Sequence, residues 1–285
     1  MKLAIVTDST CDLNAEELAK LAVERVPLYV NFQGETKRDW LDINPADIIA
    51  GVAAGADLPT TSQPSPQDFA EVYQRVSAAG AEQILVITLT SELSGTYQSA
   101  TLAAAEAATP VTVFDSRAAS LGHGEMARVA SSMRAQGADL ASIVAALEKI
   151  RDTNFVLFTV GTMEYLQKGG RIGKASALLG SLLNIKPILT LVDGRIEPLS
   201  RARGMKKAQQ EMVDRFKAYV AAAAGPVVAN IIHIQDEKAA AGLEAALRAA
   251  GIDFVLNGIH EIGAVIGSHV GPNTFGLYAH EVVSQ

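Results

Sequence analysis

Short apolar runs recur along the chain, and each one opens into a stretch of small hydroxyl or acidic residues. Leu3-Ala4-Ile5-Val6 runs into Thr7-Asp8-Ser9-Thr10-Cys11-Asp12, Ile84-Leu85-Val86-Ile87 into Thr88 to Thr96, and Val111-Thr112-Val113-Phe114 into Asp115-Ser116. The continuous runs 3–6 and 84–87 predict buried strands, and Val111 to Phe114 reads as a third strand. Helical patterns follow each loop: Asn14 caps one with Glu16 and Glu17 in its first turn, Ala-rich helices start near Tyr97 and at Gly122-His123-Gly124, and Asp139 caps a further helix that reaches Ile150. Repeated strand, polar loop and helix predict a parallel sheet with right-handed crossovers.

The pattern changes after Asp152. Phe155 to Val160 reads as a strand, and Met163 to Lys168 as a short helix stopped by Gly169-Gly170. Ile185 to Val192 and Arg195 to Leu199 meet at Asp193-Gly194, a hairpin signal that predicts antiparallel pairing. The expected architecture is α/β, with an N-terminal parallel βαβ domain over residues 1–153 and a smaller C-terminal α+β domain over 154–285. Asp57 to Pro66 holds three prolines and four hydroxyls and reads as an ordered loop or a linker, with Ser65 capping the next helix.

Thr88, Thr90, Ser91, Ser94 and Thr96 place five hydroxyls in nine residues between a strand and a helix. One of them suffices as a helix cap. The rest, with the free N–H groups of a helix start, predict a site for a carboxylate or phosphate. The net charge of −7 disfavours nucleic acid and anionic membrane as partners, so a bound anion needs local positive charge. Arg201, Arg203, Lys206 and Lys207 form the densest basic cluster. His269 lies between Gly267 and Gly271 in what reads as a flexible loop, where a ligand contact weighs as much as a structural role. His123, His233, His260 and His280 read as structural.

Other chemistry is thin. A single cysteine, Cys11, allows no internal disulfide and no multi-cysteine metal site, and no histidine pair has metal-ligand spacing, so no metal is expected. Residues 169–176 resemble a phosphate-binding loop only superficially, because Lys168 stands where its first glycine belongs and Ala175 where its hydroxyl belongs. With no apolar run of membrane-spanning length and a strand-like start in place of a signal peptide, the expected setting is the cytoplasm without stable membrane insertion.

Several motifs together resemble the DegV family of bacterial fatty-acid-binding proteins. They are Thr7-Asp8-Ser9-Thr10, Thr61-Ser62-Gln63-Pro64-Ser65, Leu93-Ser94-Gly95-Thr96-Tyr97-Gln98-Ser99-Ala100, Asp115-Ser116, Tyr165 to Ile172, Ile185-Lys186-Pro187-Ile188 and Gly267 to Pro272. The resemblance implies two domains of the EDD fold with a fatty acid bound between them, and a carrier with no turnover or cofactor of its own. Such a carrier presents the carboxylate to a separate fatty acid kinase for phospholipid synthesis. Carried over by motif, Thr61 and Ser94, with Ser62, Gly95 and Thr96 beside them, hold the carboxylate, while Arg203 and His269 serve phosphoryl transfer or kinase contact. Arg201, two residues before Arg203, is the alternative to it, and Asn273 replaces a glycine common after Gly-Pro. The competing class is a serine hydrolase with Ser94 as nucleophile, His269 as base and an aspartate such as Asp115. Leu93 and Gly95 around Ser94 lack the Gly-x-Ser-x-Gly elbow of such enzymes.

Overall fold

A computed structural model describes residues 2–179 and 185–283. The chain divides into two compact units, each assembled from separate stretches of sequence. Unit 1 comprises Met1–Asn44, Pro59–Asp152 and Gly263–Ile266, and unit 2 comprises Pro45–Leu58, Thr153–Ile262 and Gly267–Gln285.

In unit 1 the apolar runs become β1 (Leu3–Asp8), β6 (Gln83–Thr88) and β7 (Val111–Asp115), joined by β2 (Val23–Val26) in an all-parallel sheet of order β2-β1-β6-β7. The register sets Ile5 against Leu85 and Val86 against Val113. Ile84 to Ile87 are fully buried, each contributing about 1.5–3 kcal/mol by leaving water. A second, three-stranded sheet has the order β4-β3-β5, from β3 (Tyr29–Phe32), β4 (Glu35–Arg38) and β5 (Thr60–Ser62). Strand β5 corrects the expectation of a loop or linker at Asp57 to Pro66. Its threonines are β-branched and favour extended backbone, and Pro59 and Pro64 lie just outside the three paired residues.

The helices of unit 1 are α1 (Ala15–Leu21), α3 (Pro66–Ala78), α4 (Thr96–Ala105), α5 (Leu121–Ala135) and, but for its last residue, α6 (Leu140–Thr153), while α2 (Pro45–Ala53) belongs to unit 2. Asn14 and Ser65 each cap a helix in a reciprocal capping box, as their sequence context predicts. Phe69, Val72 and Tyr73 of α3 and Ala100 and Ala103 of α4 pack with Val6, Ile84 and Val86 in one core.

Unit 2 holds a six-stranded mixed sheet of order β10-β9-β8-β13-β11-β12. Its strands are β8 (Phe155–Thr159), β9 (Ile185–Val192), β10 (Arg195–Arg203), β11 (Val227–Ile234), β12 (Val255–Glu261) and β13 (Thr274–Glu281). The hairpin at Asp193-Gly194 forms as expected, with both residues at positive φ, 48° and 78°. The remaining helices are α7 (Glu164–Lys168), α8 (Met205–Ala222), α9 (Glu237–Ala249) and α10 (Ala264–Val270). Helices α8 and α9 bury Met212, Phe216, Leu243 and Leu247 against Leu157, Ile231 and Phe275 of the sheet. His233, His260 and His280 stand in strands, as expected. Among the described residues no helix is long and apolar enough to cross a membrane.

Candidate functional site

The loop from β6 to α4 is held from three sides before it reaches Ser94. Asp8 Oδ2, at the end of β1, accepts the Leu89 N–H at 2.8 Å. The Thr90 N–H donates to the Ala118 carbonyl at 2.8 Å. Ser91 donates through Oγ to Asp115 Oδ2 at 2.5 Å and through its N–H to Oδ1 at 3.2 Å. Asp8 is itself fully buried beside His123 Nε2, 3.4 Å away. Burial raises its carboxyl pKa, but His123, Thr10 and the Leu89 N–H hold it below the usual value on balance.

Beyond these anchors lie Ser94, Gly95 and Thr96. Ser94 Oγ and Thr96 Oγ1 share a hydrogen bond of 2.9 Å, and the Thr96 N–H donates to Ser94 Oγ at 3.3 Å. Gly95 caps α4 without a side-chain hydrogen bond, and no acidic residue stands in the helix's first turn. The positive end of a ten-residue helix is therefore left to backbone N–H groups and two hydroxyls, an arrangement suited to an anion.

The other predicted hydroxyl segment reaches the same place. Thr61, partly buried, and Ser62, exposed, lie on β5, and Gln63 follows them with its side-chain amide against Gly95. A Cβ on Gly95 would stand 2.5 Å from both Gln63 Oε1 and Nε2, so any larger residue there would push the Gln63 amide aside. Unit 1 thus brings Thr61 and Ser62 into one region with Ser94, Gly95 and Thr96. Gln63 was not singled out from sequence as a site residue, although it stands inside the Thr61 to Ser65 motif.

In unit 2, Arg201 and Arg203 are both exposed on the last residues of β10 and flank the buried Ala202, so they share one face of the strand. His269 corrects the expectation of a flexible loop: it occupies the last turn of α10 and is partly buried. Burial first, and the Arg171 charge second, push its imidazole pKa down to about 4, so the ring is neutral at pH 7. Arg171, within the 169–176 stretch that only superficially resembles a phosphate-binding loop, donates from Nη1 to the Gly169 carbonyl at 2.7 Å. Its cue was an arginine directly after Gly169-Gly170. Asn273 takes a left-handed φ of 56°, a conformation that glycine favours and that asparagine tolerates better than most residues. The hydroxyl of Ser94 is engaged with Thr96, and Asp115 is occupied by Ser91 and by the Arg117 N–H at 3.1 Å. Cys11 is fully buried with its thiol pKa raised by burial, which leaves it unreactive.

The family model described as "Uncharacterised protein, DegV family" matches residues 2–281. The chain belongs to the DegV family. A DegV domain-containing protein of Deinococcus radiodurans is 42% identical over 97% of this chain and 98% of its own length. Among solved structures, a fatty-acid-binding DegV family protein of Thermus thermophilus superposes with a TM-score of 0.95 at 46% identity, covering 99% of this chain and all of that one. A stearic acid-binding protein of Eubacterium ventriosum superposes with a TM-score of 0.90 at 27% identity, covering 99% and 98% of the two chains. The DegV motifs quoted from the sequence thus fall within one continuous family match.

Proposed function

We propose that this DegV protein binds a long-chain fatty acid in the cytoplasm and presents its carboxylate to a separate fatty acid kinase, which forms an acyl phosphate for phospholipid synthesis. Thr61, Ser62, Ser94, Gly95 and Thr96 hold the carboxylate, and Arg203 and His269 serve phosphoryl transfer or kinase contact. The protein turns nothing over by itself and requires no cofactor or metal. The observation that carries this reading is the meeting of two hydroxyl segments at the N-terminus of α4, whose N-cap residue, Gly95, has no side chain. Relatives described as binding fatty acids, stearic acid among them, support the ligand class.

The energetics fit the chemistry. About fifteen methylenes at about 0.8 kcal/mol each give at most about 12 kcal/mol for the tail, reduced by the cost of ordering it. A buried carboxylate without partners costs several kcal/mol. Hydrogen bonds to a charged group, worth about 1.5–3 kcal/mol each, offset that cost. Hydroxyls and N–H groups do so without a fixed cation on the oxygens, which leaves the carboxylate free to attack a phosphoryl donor.

Native mass spectrometry of the purified full chain tests the reading. A co-purified mass of several hundred daltons, displaced by added stearic acid, is the expected result. Hydrolysis of short-chain esters that disappears in Ser94→Ala would overturn it in favour of a hydrolase, as would acyl-phosphate formation by the protein without an added kinase.

A further inference from the structure

Two adjacent glycines end α7, and they answer to different physical demands. Gly170 has φ 71°, a left-handed conformation that favours glycine. Gly169 has φ −72° and ψ −10°, which any residue adopts at no cost. Its lack of a side chain must therefore serve space rather than backbone. A Cβ built there would stand 2.3 Å from His269 Nδ1 and 3.1 Å from Cε1, and 2.9 Å from the Tyr165 carbonyl. The contact is matched in the other direction. Gly271, just past α10, lies under the Tyr165 ring, where a Cβ would be 2.6 Å from Cδ2 and 2.8 Å from Cγ. Each short helix thus presents one ring to a glycine of the other.

We propose that Gly169 is a positioning residue for His269: the bare α-carbon at the end of α7 seats the Nδ1 edge of the imidazole and so fixes which way the ring faces. The proposal rests on the reading of His269 as a phosphoryl-transfer or kinase-contact residue. Orientation matters because a neutral imidazole has one donor and one acceptor nitrogen, and turning the ring exchanges what it offers. Arg171 reinforces the seat, since its hydrogen bond to the Gly169 carbonyl ties the same turn to the charge that helps keep His269 neutral.

Three variants of the full chain test this: Gly169→Ala, His269→Ala and the double. The readouts are histidine side-chain NMR, stearic acid titration, and ATP-dependent phosphorylation of stearic acid with an added bacterial fatty acid kinase. The chain has five histidines, and the signal missing in His269→Ala identifies the one in question. In Gly169→Ala the His269 signals should move and its pKa should climb from about 4 towards 6.5, while stearic acid affinity stays within a few-fold. Phosphorylation should fall by roughly tenfold to a hundredfold, as a displacement on the order of 1 Å at a reacting centre does. The double variant should be no worse than His269→Ala alone, because the clash goes when the ring goes. Unmoved His269 signals in Gly169→Ala, or a further loss in the double variant from the added methyl meeting the Tyr165 carbonyl, would overturn the proposal. If Gly169→Ala does not fold, recovery of folding in the double variant supports the seat, and failure of both rejects it. His269→Ala with full phosphorylation would instead remove the functional role assigned to His269, while the NMR comparison still decides whether Gly169 seats the ring.

Discussion

Asp12 and Asp39, both buried, accept hydrogen bonds from three consecutive backbone N–H groups. Asp12 Oδ1 takes the Gly263 N–H at 2.9 Å, and Asp39 Oδ1 takes those of Ala264 at 3.0 Å and Val265 at 3.3 Å. Their second oxygens accept from Ser120 Oγ at 2.5 Å and Ser9 Oγ at 2.7 Å. The start of α10 is thereby tied into unit 1 by two carboxyl groups far away in sequence, at a helix end that favours negative charge.

This clasp predicts an unusual pH response. Burial pushes the Asp12 carboxyl up to about 8 and the Asp39 carboxyl up to about 7, with the nearby Asp39 charge adding to the rise at Asp12. Both folded-state values lie above the ordinary 3.8, so between those limits the folded chain holds protons that the unfolded chain has released. Stability contributed by the pair is therefore greatest at low pH and falls as pH rises, by up to about 1.4 kcal/mol per pH unit for each extra proton held. Denaturant unfolding of the wild type and of an Asp12→Asn, Asp39→Asn double variant, from about pH 4 to about pH 8, isolates the effect. A stability difference that does not change with pH would mean the carboxyls are ionised throughout.

Ser65 offers a simpler check on local structure. Its Oγ accepts the Asp68 N–H at 3.2 Å, and Asp68 Oδ2 accepts the Ser65 N–H at 2.7 Å, closing a capping box at the start of α3. Replacing Ser65 by alanine should cost about 1 kcal/mol of stability, the usual loss for an N-cap. Thermal unfolding reads this directly, and fatty acid binding should be unaffected once the variant is folded.

What the sequence made legible follows from range. Ile84 to Ile87 announce a buried strand because four apolar residues in a row have few other uses, and Asp193-Gly194 announces a hairpin through backbone conformation alone. The hydroxyls of Thr88 to Thr96 stand out as a candidate anion site because their number exceeds the needs of capping. Thr60 to Ser62 was not visible as a strand, since its pairing with β3 comes from residues 29 to 31 and the flanking prolines dominate any local reading. The helix of His269 was hidden for a similar reason. Gly267-Ser268-His269 looks like a loop, and the carboxyl groups that hold the start of α10 stand 251 and 225 residues away along the chain. Gln63 carries no local pattern that separates it from ordinary polar residues, and Arg171 is marked only by the two glycines before it.

Removing a single hydroxyl from the proposed carboxylate site should weaken binding measurably. In Thr61→Ala or Ser94→Ala the carboxylate loses one donor, which costs about 1–3 kcal/mol, or roughly five- to 150-fold in affinity. Ser94→Ala also breaks the Ser94–Thr96 hydrogen bond and frees Thr96 Oγ1, so its effect should be the less severe if Thr96 turns to replace the lost donor. Calorimetric titration with stearic acid separates the two variants. Wild-type affinity in both would remove these hydroxyls from the site.

Arg203 and His269 should behave differently from the hydroxyls. Arg203 is exposed at the end of β10, and His269 is neutral at pH 7, so neither is built as a permanent counter-ion for a buried carboxylate. An exposed guanidinium is suited to an acidic partner surface or a phosphoryl group, where its planar donors bind oxygens in pairs. A neutral imidazole is suited to donate or accept one proton or hydrogen bond as charge develops during transfer. Arg203→Ala and His269→Ala should therefore leave stearic acid affinity within a few-fold and cut kinase-dependent phosphorylation by much more. Arg201→Ala belongs in the same experiment, because it shares the exposed face of β10 with Arg203 and the two differ only in register. A loss confined to Arg203→Ala assigns the role to that residue, and a loss confined to Arg201→Ala moves it two positions along the strand. Outright loss of stearic acid binding in Arg203→Ala would make the arginine a carboxylate ligand and end the division of labour between the hydroxyl segments and the basic strand.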